Sequence, residues 1–419
     1  MLKNSKKIVV LLSWISILFL FSCHTQKGLP QKDTSFKKTL ILVSMDGFRY
    51  DYFDKARTPG LDELIKTGVK AKSLIPAFPS KTFPNHLSII TGMYPEHHGI
   101  ISNRIFNAAT GEWYKLGNSK AVTDGKWYKG EPFWVTAEKQ HIKTATFFWP
   151  GSEAKINGFR PTYWKHYDES IPYPDRVAQA MSWLDMPAEK RPQFISLYFD
   201  EPDHSGHRYG PDSPEVVKAI EKVDSNIVLL EKELAIRHLT DKVDIIIVSD
   251  HGMTPLSRDS VIFLDDYVNM NDIKVVDWSP VVAIRPKQGK EDAVFNVLKN
   301  AHPKLAIYKK ADIPARLHYS DNPLIQPIIG ITSLGWTVTT RKYFNSHRHK
   351  ATGGTHGYDP AYPDMHAIFI ASGPSFKKGL VVKPFENIQI YELMCRVLNI
   401  KPSPNDGDIK KTKFFLMKE

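Results

Sequence analysis

Cysteine is scarce in this chain of 419 residues, which contains only Cys23 and Cys395. Two cysteines cannot form a framework of several disulfides, and they cannot supply the three or four thiolates of a cysteine-based zinc site. The sequence also has no internal repeat, no low-complexity block and no dense run of Lys and Arg, although its formal net charge is +11. Because no such basic run indicates a nucleic-acid groove, we expect no specific nucleic-acid binding.

Long apolar runs are also rare, and the most apolar stretch lies at residues 8–21. It is too short for a comfortable membrane span and it follows three lysines, a pattern typical of a secretory signal. The run ends in the string LFSC, which resembles a bacterial lipobox. We therefore expect a lipoprotein-type signal peptide at residues 1–22 and lipidation of Cys23. An uncleaved anchor and an ordinary signal peptide are the alternatives.

Residues 23–38 are polar, and this composition predicts a flexible tether. A lipidated Cys23 would attach the chain to a membrane through its lipid anchor. The sequence thus predicts an exported lipoprotein of a bacterial cell envelope, facing the periplasm or the outer-membrane surface. Lipidation would also leave Cys395 without an intramolecular partner, which suits an exported protein that folds without disulfides.

The rest of the chain alternates short apolar runs with helical patterns. The runs have the composition of strands buried on both faces of a sheet, and they lie at Thr39–Ser44, Thr144–Trp149, Phe194–Phe199, Val243–Ser249 and His366–Ala371. Helical patterns lie between them, at Pro59–Thr67, Pro214–Leu234 and Asn387–Leu398. This alternation predicts an α/β fold with a doubly wound, mostly parallel sheet flanked by helices. We place one catalytic domain at residues 39–419, with a smaller strand-containing insertion at about residues 255–350.

Acidic residues and histidines follow three of the predicted strands directly. Asp46 follows the first strand, a segment containing Asp203 and His207 follows the strand at Phe194, and Asp250 with His251 follows the strand at Val243. Because ligands bind beyond the carboxyl ends of parallel strands, we expect these side chains to meet at one edge of the sheet. Their oxygen and nitrogen atoms suit zinc or a similar divalent metal ion.

Thr82 is the candidate nucleophile, in the stretch from Pro79 to Asn103. It precedes Phe83 and Pro84, and an apolar pattern with helical spacing follows, so we expect a helix that opens at this proline. The amino end of a helix favours negative charge, which would place the Thr82 hydroxyl beside an anion site. The structural alternative is that Thr82 only caps the helix.

Together with His356, which lies in a glycine-rich loop, these residues make seven candidates, enough for two metal sites. Two cations a few ångströms apart can clamp a phosphoryl group, and one of them can ionise a coordinated hydroxyl. Each residue has a structural alternative: Asp250 as a helix cap, Asp203 with His207 as a surface ion pair, and His356 as a loop histidine. Their joint occurrence favours the metal sites.

A family resemblance rests on seven strings: SMDGFR, PSKTFPNH, TGMYPEHHGI, WPGSE, DEPDHSGHRYGP, SDHGM and GTHGYD. As an ordered set, from Asp46 to Asp359, they resemble the signature blocks of the nucleotide pyrophosphatase/phosphodiesterase family of the alkaline phosphatase superfamily. The chain lacks the Cys-rich modules and nuclease-like domain of larger animal members, so it is similar to a minimal bacterial form. The resemblance implies an alkaline-phosphatase-like core, two Zn²⁺ per chain and a phosphothreonine intermediate.

The resemblance also implies residue roles. Asp46, Thr82, Asp250 and His251 would hold one zinc ion, and Asp203, His207 and His356 the other. Asn103 matches the asparagine that donates to a non-bridging phosphate oxygen. Phe83 and Tyr167 match two aromatic residues that sandwich a nucleobase.

The implied activity is hydrolysis of nucleotide phosphodiester or phosphoanhydride bonds, giving nucleoside 5′-monophosphates. The alternatives are a choline-lipid phosphodiesterase of the lysophospholipase C type, a phosphomonoesterase of the same superfamily and a non-catalytic metal-binding envelope lipoprotein. The neutral and acidic string WPGSE argues against the monoesterase, which commonly uses a third metal or a Lys/Arg pair. A sulfatase is disfavoured because neither cysteine occupies the nucleophile position.

Overall fold

The computed structural model describes residues 36–347 and 352–418. The predicted signal peptide and Cys23 lie outside these residues. The described residues form the strands β1 Thr39–Met45, β2 Gly68–Ala71, β3 Leu74–Ile75, β4 Arg104–Phe106, β5 Trp113–Lys115, β6 Thr144–Phe147, β7 Tyr163–Trp164, β8 Phe194–Phe199, β9 Val243–Val248, β10 Thr254–Pro255, β11 Val261–Phe263, β12 Ile273–Asp277, β13 Val281–Pro286, β14 Leu305–Lys309, β15 Ile328–Thr332, β16 Thr337–Thr339, β17 Gly354–Thr355, β18 Phe369–Ser372, β19 Leu380–Val382 and β20 Phe385–Glu386.

The same residues form the helices α1 Pro59–Thr67, α2 Thr82–Thr91, α3 Pro95–His98, α4 Ser119–Val122, α5 Phe133–Lys139, α6 Tyr173–Leu184, α7 Asp203–Tyr209, α8 Pro214–Ile236, α9 Glu291–Leu298, α10 Arg341–Ser346 and α11 Gln389–Leu398. Local sequence signals account for several of the helix ends. The Ser213 side chain accepts the N–H of Val216 at the start of α8, and Gly92 ends α2 in the left-handed conformation. Within the described residues, no helix has the length and apolar character needed to span a membrane.

The predicted mostly parallel sheet is confirmed. Its strand order is β19, β2, β18, β9, β1, β8, β6 and β7. Strands β9, β1, β8, β6 and β7 run parallel to one another, whereas β18 runs antiparallel to β9 and β2. Every residue of β1, β8 and β9 is buried, as expected for strands covered on both faces. The carboxyl ends of these three strands therefore meet at one edge of the sheet.

Helices flank this sheet in two groups. Residues of α2, α5 and α11 share a hydrophobic cluster with Leu40 and Leu42, alternate residues of β1. Helices α1, α6 and α8 form the second group, in which α8 packs against both others. Two predicted strand boundaries are wrong by more than one residue: β6 ends at Phe147 rather than Trp149, and β18 begins at Phe369 rather than His366.

The region predicted as an insertion contains a second, smaller sheet. Its strand order is β12, β13, β15 and β14, and its pairings are antiparallel. Helix α9 packs against β13 and β14. A separate cluster of buried apolar residues, including Ile284 and Leu298, supports this sheet.

Candidate active site

Thr82 lies at the start of α2, but not where the sequence pattern placed it. The prediction that this helix opens at Pro84 is wrong, because α2 begins at Thr82 itself and Lys81 is its N-cap residue. Pro84 is tolerated in the first turn, since N–H groups there have no acceptor within the helix. Among the described residues, the hydrogen-bond partner of Thr82 Oγ1 is Nε2 of His251, 3.3 Å away. The hydroxyl is thus directed at the predicted metal ligands.

The first ligand group consists of Asp46, Asp250 and His251. Asp46 follows β1, and Asp250 and His251 lie beyond the end of the neighbouring strand β9. Nε2 of His251 lies 3.4 Å from Asp46 Oδ1 and 3.0 Å from Asp250 Oδ2. All three residues are buried. One ligand atom from each lies within 4.8 Å of the others, a spacing that can hold one metal ion.

The second ligand group consists of Asp203, His207 and His356. Asp203 begins α7, and His207 lies one turn later on the same helix, as the four-residue spacing predicted. Asp203 Oδ2 lies 3.4 Å from Nε2 of His207, and the two Nε2 atoms of His207 and His356 are 3.2 Å apart. The ligand atoms again lie within 4.8 Å of one another. The rings of His356 and His251 stack with centroids 3.5 Å apart, which brings the two groups together.

The three histidines of these groups share one orientation. In each ring, Nδ1 lies 2.9 Å from a backbone carbonyl oxygen: that of Gly354 for His207, Gly252 for His251 and Ser80 for His356. A carbonyl oxygen can only accept, so Nδ1 donates, and in the neutral ring Nε2 carries the lone pair that a metal ion would take. Histidines that ligate metals are held in this way, with the second ring nitrogen fixed by a hydrogen bond.

Three carboxylate oxygens in the two groups are buried with no hydrogen-bond partner among the described residues: Asp46 Oδ1, Asp203 Oδ1 and Asp250 Oδ2. Burial, followed by the negative charges of Asp250 and Asp203, raises the pKa of Asp46 well above its ordinary value. Burial, followed by the charges of His251 and His207, lowers the pKa of His356 well below its ordinary value. Buried acids without partners are costly, and divalent cations would offset this cost. The donor set therefore fits metal ions.

Glycines allow the elements that carry these groups to approach closely. Gly47 has φ +68°, and a Cβ there would lie 2.8 Å from Cβ of Asp203. Gly353 has φ +88°, and a Cβ there would lie 2.2 Å from the carbonyl oxygen of His207. Both positions combine a left-handed backbone with a contact that leaves no space for a side chain. The loop that leads to His356 can therefore lie directly against α7.

Asn103 lies beside the start of α2. Its Oδ1 accepts the backbone N–H of Phe83 at 3.1 Å. This bond joins the residue after Thr82 to the segment that precedes β4, and it leaves the Nδ2 donors available for an anion bound at Thr82. Further hydrogen bonds join this segment to the insertion. Lys81 Nζ donates to Asp277 Oδ2 of the insertion at 2.6 Å and to Ser102 Oγ at 3.2 Å.

A cavity of about 340 Å³ opens beside Thr82. Phe83 and Tyr167 both line it, so the two aromatic residues that the sequence singled out face one space. Tyr167 is 47% exposed, and its ring packs edge-on against Phe148 with centroids 5.2 Å apart. Its backbone N–H donates to Glu153 Oε1 at 2.9 Å, which fixes the loop beneath the ring.

Sequence reasoning missed two residues that support the first ligand group. The hydroxyl of Tyr198 donates to Asp46 Oδ2 at 2.6 Å, from inside the apolar run of β8. His86 is fully buried, with Nδ1 2.9 Å from the carbonyl oxygen of Thr82 and Nε2 2.8 Å from Ser44 Oγ. The four-residue spacing between Thr82 and His86 on one helix was the available signal. Tyr198 had no signal apart from its place near the end of a buried strand.

Comparison with known proteins agrees with this fold and site. A family profile described as Type I phosphodiesterase / nucleotide pyrophosphatase matches residues 40–359. Venom phosphodiesterase CdcPDE of Crotalus durissus collilineatus is 40% identical over 392 residues, covering 91% of this chain and 47% of the relative. Human ectonucleotide pyrophosphatase/phosphodiesterase family member 5 is 37% identical over 372 residues, covering 88% of this chain and 76% of the relative. The chain spans about half the length of the venom enzymes it matches.

A solved structure shows the same architecture. Murine ectonucleotide pyrophosphatase/phosphodiesterase 5, an inactive threonine-to-alanine variant in complex with AMP, superposes with a TM-score of 0.86 at 36% sequence identity. The match covers 91% of this chain and 100% of the murine chain. The expected alkaline-phosphatase-like α/β fold is thus confirmed. The chain belongs to the type I phosphodiesterase/nucleotide pyrophosphatase family of the alkaline phosphatase superfamily.

Proposed function

We propose that the protein hydrolyses phosphodiester or phosphoanhydride bonds of nucleotides and releases nucleoside 5′-monophosphates. The observation that carries this proposal is the position of the Thr82 hydroxyl. Its Oγ1 lies 3.3 Å from Nε2 of His251, and Thr82 lines a cavity together with Phe83 and Tyr167. A nucleophile, an anion site and two aromatic surfaces therefore lie together, as hydrolysis of a nucleotide ester requires.

The reaction that we propose has two displacement steps at phosphorus. Divalent cations held by the two ligand groups would lower the pKa of the Thr82 hydroxyl and offset the charge of the phosphoryl oxygens. Thr82 Oγ1 attacks in line, the bond from phosphorus to the leaving oxygen breaks, and the nucleoside phosphoryl group remains on Thr82. Water then attacks the same phosphorus atom, which restores the hydroxyl and releases the monophosphate.

Asn103 and the amino end of α2 stabilise the transition state in this proposal. The Asn103 amide is held by the N–H of Phe83 at its oxygen, so its Nδ2 donors can meet the equatorial phosphoryl oxygens as their charge grows. The helix dipole of α2 acts in the same direction. Because these groups are fixed before substrate binds, little reorganisation is needed during the reaction.

The charge of the cavity favours a diester over a phosphate monoester. Among the described residues that line it there is no Lys or Arg, and Glu153, Asp200 and Asp203 contribute carboxylates. A monoester carries a second negative charge, which would need additional positive groups at this place. We therefore expect hydrolysis of 4-nitrophenyl thymidine 5′-monophosphate, a diester, to exceed hydrolysis of 4-nitrophenyl phosphate by a large factor.

Replacement of the nucleophile tests the proposal. Thr82→Ala should abolish turnover of the nucleotide ester and leave the thermal unfolding temperature near that of the wild type, since the hydroxyl pairs with His251 Nε2 and not with a backbone N–H of α2. Thr340→Ala is the matched control: it removes a threonine at the start of α10, whose side chain accepts the N–H of Tyr343, and should leave turnover intact. Mass spectrometry of acid-quenched enzyme should find the nucleotidyl group on the Thr82 peptide. Full activity of Thr82→Ala would refute this role.

A choline-lipid diester is the second candidate, because aromatic and acidic side chains together bind quaternary ammonium groups. Tyr167, Tyr198 and Glu153 line the same cavity. Competition between the nucleotide ester and glycerophosphocholine in one reaction distinguishes the two. If kcat/KM is larger for the choline diester than for the nucleotide ester, the choline diester becomes the proposed substrate.

We propose two Zn²⁺ per chain, one for each ligand group. The oxygen and nitrogen donors suit zinc, and the two groups share no residue. Elemental analysis of protein purified without chelator should give close to two zinc ions per chain. A zinc content near zero would instead support a non-catalytic scaffold, if Thr82→Ala is also as stable as the wild type.

We also propose that the chain is exported and anchored by a lipid at Cys23. The proposal rests on the apolar run at residues 8–21 and the string LFSC, which lie outside the described residues. Metabolic labelling with a clickable fatty acid should mark the wild type and not a Cys23→Ser variant. Labelling of both proteins would contradict the assignment of this cysteine.

A further inference from the structure

A strongly basic depression of about 700 Å³ lies away from the candidate active site. Its basic lining residues are Lys38, Lys377, Arg396, Lys413 and Lys418. Among the described residues that line it, none is acidic. Five cations around one depression attract a surface of opposite charge far more strongly than lysines scattered over the molecule.

Apolar side chains lie among these cations. Phe414 is 49% exposed and Met417 is 56% exposed, and both line the depression. Large apolar side chains exposed within a basic ring are typical of surfaces that enter the interfacial region of a membrane. A site for single-stranded nucleic acid would instead present aromatic rings along a groove for the bases to stack on, and Met417 cannot supply such a platform. We name the five basic residues with Phe414 and Met417 the basic patch.

The basic patch is held rigidly by the residues between its exposed members. Phe415 is buried, with its ring 5.8 Å from that of Phe369. The N–H of Lys377 donates to the carbonyl oxygen of Phe415, and the N–H of Met417 donates to that of Ser375, both at 2.9 Å. The exposure of Phe414 and Met417 is therefore a consequence of ordered packing.

Sheet topology places the basic patch opposite the candidate active site. Lys38 precedes the first residue of β1, whereas Asp46 follows the last. Ser375, which also lines the depression, donates its N–H and its hydroxyl to Asp244, near the start of β9, whereas Asp250 lies beyond the end of that strand. The basic patch lies at the start of these strands and the candidate active site lies beyond their ends. Because β1 has seven residues, about 20 Å of sheet separates the two places.

We propose that the basic patch docks the protein on an anionic phospholipid bilayer, with the lysines at the headgroups and Phe414 and Met417 entering the interface. Docking in this orientation directs the active site away from the membrane. The enzyme would then act on soluble diesters rather than on lipids of the same bilayer, which bears on the choice between nucleotide and choline-lipid substrates.

Vesicle flotation tests the docking. The full chain carrying Cys23→Ser, which cannot be lipidated at that position, is mixed with phosphatidylcholine vesicles or with vesicles that also contain phosphatidylglycerol. The additional binding caused by phosphatidylglycerol measures the contribution of the basic patch, because binding through other apolar segments occurs with both kinds of vesicle. We expect a clear increment that falls as salt is added. Equal binding to both vesicles would overturn the proposal.

Charge reversal locates the surface. Lys377→Glu, Lys413→Glu and Lys418→Glu together should lower partitioning to anionic vesicles by at least about 100-fold, since each basic residue near such a surface contributes about fivefold and the new carboxylates add repulsion. Reversal of Lys120, Lys287 and Lys304, which are exposed and lie outside the basic patch, changes net charge equally and should retain most of the binding. An equal loss of vesicle binding in both triple variants would mean that the net charge of the protein, and not the basic patch, controls binding. That result would overturn the assignment.

Two further measurements test the apolar and topological arguments. Phe414→Ala with Met417→Ala should lower the additional vesicle binding that phosphatidylglycerol causes, because the variant removes the exposed apolar side chains of the basic patch. Hydrolysis of the soluble nucleotide ester should be unchanged when the wild type is saturated with anionic vesicles, and a large loss would contradict the placement of the patch. Patch-dependent binding of a single-stranded oligonucleotide without vesicle binding would assign the surface to nucleic acid and overturn the proposal.

Discussion

The backbone N–H of Phe83 donates to Asn103 Oδ1 at 3.1 Å, and this bond decides which end of the Asn103 amide is available beside Thr82. Asn103→Asp keeps the shape of the side chain and the bond from Phe83. It removes the donors and places a negative charge beside an anionic transition state. We therefore expect kcat for the nucleotide ester to fall by about 10²–10³-fold.

Steady-state kinetics check this prediction against a matched substitution. Asn107→Asp makes the same chemical change at an asparagine whose Oδ1 accepts the N–H of Ala109 in a nearby turn. That control should retain kcat. Equal losses in the two variants would remove Asn103 from the proposed transition-state contacts.

Tyr198 gives a second prediction, on metal affinity. Its hydroxyl donates to Asp46 Oδ2 at 2.6 Å and so orients a carboxylate of the first ligand group. Loss of such a supporting bond lowers metal affinity by about 10–100-fold. We expect Tyr198→Phe to lose zinc at a correspondingly lower chelator concentration, with unfolding near that of the wild type when zinc is in excess.

Tyr319→Phe is the control for this measurement. It also removes a buried hydroxyl, one that donates to the carbonyl oxygen of Ile101. Its chelator titration should follow the wild type. If both variants lose zinc together, the effect reports general loosening of the structure and not the bond to Asp46.

The aromatic walls of the cavity give a third prediction, on substrate selectivity. Stacking of a base on an aromatic side chain contributes about 1–3 kcal/mol. Tyr167→Ala should lower kcat/KM for the nucleotide ester by about 10-fold or more. It should leave methyl 4-nitrophenyl phosphate, whose second ester group is not aromatic, within about twofold of the wild type. Tyr343→Ala removes another tyrosine with the same 47% exposure and should change neither rate. Equal losses for both substrates would argue against stacking.

The sequence was informative where one physical rule determines position. Short apolar runs followed by Asp46, by Asp203 with His207 and by Asp250 predict one edge of a parallel sheet, because the carboxyl ends of parallel strands meet there. The structure brings these carboxylates and histidines together in two groups. The predicted α/β class is confirmed for the same reason, since strands buried on both faces need helices on either side.

The sequence was uninformative where position depends on pairs of distant residues. Tyr198 reaches Asp46 across 152 positions, and Lys81 reaches Asp277 across 196. No local pattern marks such a pair, and Tyr198 stands in an apolar run that predicts only a core residue. The start of α2 was misplaced because a proline was taken as the first helical residue. In the structure it occupies the third position of that helix.

The pair Lys81–Asp277 gives the last prediction, because it joins the start of α2 to the insertion. Lys81 Nζ donates to Asp277 Oδ2 at 2.6 Å, and the exposed fractions of the two side chains are only 8% and 16%. Removal of one partner of a buried ion pair costs about 3–5 kcal/mol, because the remaining charge stays buried. Ser102 also donates to Asp277, so we expect the low end of this range for Lys81→Met, measured as the free energy of unfolding in urea.

A double variant separates the buried charge from the lost contact. Lys81→Met with Asp277→Asn removes both charges, and it should recover more than half of the stability that Lys81→Met loses. Lys55→Met breaks a pair with Asp212, whose side chain is 65% exposed, and should cost less than about 1 kcal/mol. Because Lys81 precedes Thr82 and Ser102 precedes Asn103, Lys81→Met should also lower kcat even where the protein is fully folded. If Lys81→Met has a normal kcat and loses no more stability than Lys55→Met, the insertion does not position the start of α2.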